Sequence, residues 1–137
     1  MRPLLKHSLY ADLLLLLVTG ITYAVPRYLD RYLFIDIDSP FSGSTLMAFH
    51  GLAAFVFLYI FGYLTRCHIQ GRLRGQQRLY SGLSMLAVLI ILSFSGYFLY
   101  YLGDKVLRTW SADVHFILGL ILPLILFAHR YYDQTAV

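Results

Sequence analysis

The chain has 137 residues, of which 59% are hydrophobic and 13% charged. Soluble domains carry about 25% charged residues, so this composition excludes a water-soluble globular protein and points to a membrane protein. The net charge of +4 lies in short stretches between apolar runs, which is not a nucleic-acid footprint, and the one cysteine, Cys67, excludes an internal disulfide or a cysteine-rich metal site.

The N-terminal run MRPLLKHSLYADLLLLLVTGITYAV mimics a signal peptide. It is long for a signal core, and no convincing small-x-small cleavage site precedes Pro26, so a retained helix is expected. Four segments reach the roughly 20 apolar residues that a span requires, at about 8–26, 45–66, 79–102 and 112–130. The expected fold is therefore all-α: a polytopic membrane protein with a four-transmembrane-helix bundle as a single domain over residues 1–137. The longest connection, PRYLDRYLFIDIDSPFSGS, reads as an exposed loop or interfacial turn whose Tyr and Phe suit the headgroup belt. No internal repeat is visible. Seven basic residues (Arg2, Lys6, Arg66, Arg72, Arg74, Arg78 and Arg130) fall on one side, and four (Arg27, Arg31, Lys105 and Arg108) on the other. The richer side is cytoplasmic by the positive-inside rule, so both termini are expected in the cytoplasm.

Four of the five histidines mark the ends of the second and fourth spans. His50 and His115 begin them on the outer side, and His68 and His129 end them on the inner side. The 18 residues from His50 to His68 make about five helical turns, and the 14 from His115 to His129 leave a rotation of roughly 40°. Each helix can thus turn both imidazoles to one groove. The axial separations of about 27 Å and 21 Å differ by about one turn, which tilt or a kink at Pro123 can absorb. An isolated histidine at a membrane surface serves a headgroup or a helix end, whereas two depth-matched pairs suit a b-type haem, whose iron takes two axial imidazoles. Gly51, Ala53, Ala54, Gly62, Ser93, Ser95, Gly96 and Gly119 would leave a flat slot for the ring, although membrane helices pack through small residues in any case.

Zinc is the chemical rival. It wants four close ligands, and only the inner side, with His7, His68, His129, Asp12 and Cys67, offers a comparable group. His7 is the alternative to His68 as partner of His129; His68 is preferred because it already faces the groove. Asp12, inside the first span, could bond a ligand imidazole, serve a proton near a quinone, or reach water or an arginine. Asp113 is expected to cap the fourth helix after Ser111. Arg108 and Trp110 suit a haem propionate or a lipid headgroup.

The HG pair at His50–Gly51, the run SGYFLYYLGDKVLR, and H-x-x-x-G-x-x-x-P with a closing His in the fourth span resemble small bacterial four-helix b-type cytochromes. These are similar in pattern to the cytochrome b-561 superfamily and to hydrogenase b-type cytochrome subunits. The resemblance implies a bacterial inner membrane, bis-histidine ligation of haem b from helices two and four, and electron passage across that membrane. The expected function is a di-haem cytochrome, with His50 and His115 on the outer haem and His68 and His129 on the inner one. It would carry electrons between a quinol or cytoplasmic-side donor and a periplasmic redox partner, within membrane lipid and in company with a partner protein or larger complex. No acid–base or nucleophilic constellation appears, so an electron-transfer subunit is expected rather than an independent enzyme. The alternative is a non-haem membrane anchor, assembly factor or metal-transport subunit.

Overall fold

The computed structural model describes residues 3–37, 41–64, 66 and 80–134. It is all-α: α1 spans Pro3–Leu33, α2 Gly43–Leu64, α3 Tyr80–Tyr101 and α4 Lys105–Gln134. All four are long and apolar enough to cross a membrane, which makes this a multi-pass membrane protein. The chain divides into two compact units, Met1–His68 and Ile69–Val137. In the first, α1 packs on α2; in the second, α3 packs on α4.

The first and last helices are longer than hydropathy alone indicates. α1 continues through Pro26 to Leu33. Proline removes one donor, toward the Thr22 carbonyl, and one missing bond does not end a helix whose neighbours hold it. Just beyond, Arg27 Nη1 donates to the Tyr23 carbonyl at 2.8 Å, and its guanidinium lies 3.6 Å from the Tyr23 ring centroid. Tyr28 and Tyr32 stack one turn apart at 5.7 Å. The helix ends where Phe34 turns left-handed at φ 54°, its N–H donating to the Asp30 carbonyl at 3.2 Å. Glycine usually fills this C-cap position; a Phe there costs about 1–2 kcal/mol.

α4 begins seven residues before the expected 112, at Lys105. Asp104 starts it: its Oδ1 accepts the Leu107 N–H at 2.8 Å and its carbonyl accepts the Arg108 N–H at 3.0 Å. The cap role expected of Asp113 therefore belongs to Asp104, since Asp113 lies in the third turn, where backbone donors are already paired within the helix. Residues 102–104 alone join α3 to α4, and so short a link makes antiparallel neighbours.

Within each hairpin one stripe is covered. On α2, Leu46, Ala53, Phe57 and Ile60 are buried, and His50 completes their 4-3-4-3 spacing, the coiled-coil seam. On α1 the half-covered or buried Leu9, Asp12, Leu16, Thr19 and Tyr23 repeat the same spacing. On α4 the seam runs Ser111, His115, Leu118, Leu122 and Ile125. Most other faces are apolar and exposed, as at Phe55, Tyr59, Phe94 and Phe127; lipid tails are an equivalent solvent for them. Near the α3–α4 turn, Tyr97 and Tyr101 stack at 4.4 Å and Trp110 is 66% exposed, suited to the headgroup belt.

Candidate functional site

His50 sits in the α2 seam and is half-buried. Its Nδ1 lies 2.9 Å from Thr19 Oγ1 on α1. That hydroxyl is held by its own helix, since it donates to the Leu15 carbonyl at 2.7 Å, with the Leu16 carbonyl at 3.2 Å. A threonine hydroxyl has one proton. With that proton on the shortest of these lines, Thr19 is the acceptor toward the ring, and His50 Nδ1–H is the donor. The next residue, Gly20, flanks the imidazole: a Cβ there would stand 3.4 Å from His50 Cε1, in ordinary contact.

The second hairpin repeats the arrangement. His115 is half-buried in the α4 seam. Its Nδ1 lies 3.0 Å from Ser95 Oγ and 3.1 Å from the Leu92 carbonyl, both on α3. A carbonyl only accepts, so Nδ1 carries the hydrogen. Ser95 Oγ in turn donates to the same Leu92 carbonyl at 3.1 Å. Ser111, one turn before His115, donates to the Ser95 carbonyl at 3.0 Å and ties the two helices at that level. Gly96 follows Ser95 as Gly20 follows Thr19, and a Cβ on it would stand 3.2 Å from His115 Cε1.

Both hairpins thus hold a histidine of the second helix against a hydroxyl–glycine pair of the first. Sequence inspection finds no internal repeat because the spacing differs: 31 residues separate Thr19 from His50, and 20 separate Ser95 from His115. The common element is a contact across each hairpin, and the linker length changes without disturbing it. Thr19 and Gly20 were not singled out from sequence, and Ser95 and Gly96 only as small residues. The available signal was a hydroxyl residue followed by glycine inside an otherwise apolar run.

Of the other candidates, His7 is exposed in the second turn of α1, and His129 belongs to the last part of α4. His68 and Cys67 lie outside the described residues. Gly51, Gly62 and Gly119 face open space within the chain, where an added Cβ would meet nothing within 4 Å. Asp12 occupies the α1 seam two turns before Thr19, and its Oδ2 is buried and accepts no hydrogen bond from the described residues. Among the described residues no three His, Cys, Asp or Glu side chains gather into a metal-sized group, so the four-ligand zinc alternative gains no support there. No family model, curated protein or solved structure matches this chain.

Proposed function

We propose that the chain is a di-haem b-type membrane cytochrome of a bacterial inner membrane, with both termini cytoplasmic. The observation that carries this reading is the matched state of His50 and His115. Each Nδ1–H is engaged by acceptors of the preceding helix, which leaves the lone pair of a neutral imidazole on Nε2. A neutral ring with one nitrogen anchored and a lone pair on the other is the form in which imidazole would bind iron. Two such rings in the chain fit a bis-histidine cofactor better than a tetrahedral ion.

In this reading His50 and His115 would hold one haem. His129 would hold the second haem, with His68 as its partner and His7 as the alternative. A bound b haem supplies one-electron exchange between ferric and ferrous iron. The chain's own residues do the rest. Thr19, Ser95 and Leu92 orient the rings. The apolar seams keep water from them, and the exposed apolar faces seat the chain in lipid and offer surface to a partner subunit. Electrons would pass between a quinol or cytoplasmic-side donor and a periplasmic acceptor.

The test is the purified full-length protein. A reduced-minus-oxidised b-type spectrum is expected, with two haems per chain by pyridine haemochrome. His50→Ala and His115→Ala should each remove the same haem, and His68→Ala should remove the other while His7→Ala does not. Colourless protein that takes up no haem on reconstitution would overturn the reading in favour of an anchor, assembly or metal-transport role.

A further inference from the structure

We infer that Thr19 and Ser95 are positioning residues that lock His50 and His115 in the Nδ1–H tautomer, so that Nε2 is the nitrogen each ring presents to a ligand. Thr19–Gly20 and Ser95–Gly96 are one device used twice. The hydroxyl sets which ring nitrogen bears the proton, and in the second hairpin Gly96 also lets the ring lie close enough to the helix for the bond to form. The use of Nε2 for haem rests on the proposed function; the tautomer rests on the hydrogen bonds alone.

The two copies are not equally strong. In the second hairpin the ring has two acceptors on α3, Ser95 Oγ and the Leu92 carbonyl, and a carbonyl cannot turn into a donor. For His50 the acceptor on α1 is the Thr19 hydroxyl, which acts as one only because its proton is committed to Leu15. Removing the Thr19 hydroxyl takes that acceptor from His50, whereas removing the Ser95 hydroxyl leaves His115 the Leu92 carbonyl. Loss of one hydrogen bond corresponds to about a fivefold change in the tautomer ratio. Thr19→Val should shift His50 by about that factor toward Nε2–H, and Thr19→Ser should restore it. Ser95→Ala should shift His115 by less than about twofold, because the Leu92 carbonyl still accepts.

The experiment is nitrogen NMR of the full chain labelled with 15N-histidine, produced without haem and held in detergent micelles. His50→Gln and His115→Gln assign the signals, and far-ultraviolet circular dichroism checks that each variant keeps its helices. The native chain should show a protonated Nδ1 and an unprotonated Nε2 at both positions. An Nε2–H ring at either position, or a helical Thr19→Val that leaves His50 unchanged, would overturn the inference; the native spectrum alone suffices if Thr19→Val fails to fold. The Nδ1–H tautomer in a protein that never takes up haem supports this inference and sinks only the cytochrome reading. Pigmented protein with Nε2–H rings in its haem-free form does the reverse.

Discussion

The same substitution, glycine to alanine, should have opposite effects in the two hairpins. At Gly96 the new methyl would sit 3.2 Å from His115 Cε1, whereas carbon atoms prefer about 3.5–4.0 Å. The ring must retreat by about 0.3–0.8 Å. It is held at 3.0 Å from Ser95 Oγ and 3.1 Å from the Leu92 carbonyl, so a retreat in that range carries both contacts to the limit of hydrogen bonding, about 3.5 Å. The loss is about 1–2 kcal/mol for one or two bonds. Against it stands the helix propensity of alanine over glycine, about 1 kcal/mol. Gly96→Ala should therefore be neutral to about 1 kcal/mol destabilising. At Gly20 the corresponding distance is 3.4 Å, close to ordinary contact, so the ring need hardly move and most of the propensity gain, about 1 kcal/mol, survives. Reversible unfolding of each variant in mixed micelles, followed by circular dichroism, measures the difference. The two should be separated by about 1–2 kcal/mol with Gly20→Ala the more stable. Equal stabilities, or the opposite order, would refute the claim that Gly96 makes room for the His115 ring.

Two further outcomes follow from single side chains. Asp12→Leu should stabilise the first hairpin by about 1–3 kcal/mol in the same unfolding assay, because it removes a buried carboxyl oxygen that meets no donor among the described residues; a less stable variant would mean that the carboxyl is engaged after all. Asp104→Ala should cost about 1 kcal/mol, the usual loss for an N-cap, and should speed amide exchange at Leu107, whose N–H the carboxylate now receives. Unchanged exchange at Leu107 would refute that cap.

Much of the architecture can be read from residue order alone, since crossing a membrane imposes a condition on composition. About 20 consecutive apolar residues satisfy it, and the chain presents four such runs, from which the all-α multi-pass fold follows. The histidines were conspicuous for the same reason: a costly side chain in an apolar run has to be explained. Hydropathy locates where a helix is greasy, but it does not locate where the helix stops. The stops are set by local bonds, at Phe34 for α1 and at Asp104 for α4, so those two helices run well past their apolar segments.

What residue order could not decide is which polar groups meet across a helix pair. Thr19 and Ser95 are unremarkable in a list of residues, because a hydroxyl in an apolar helix normally bonds its own backbone. Both do so here. Only the packing of α2 on α1 and of α4 on α3 brings an imidazole to the other side of each hydroxyl. Composition determined that this chain spans the membrane and carries histidines at a cost. The tertiary contacts decided which groups meet Nδ1 of His50 and His115, because a ring's hydrogen-bond partner depends on the helix packed against it, and that partner lies 31 residues away in one hairpin and 20 in the other.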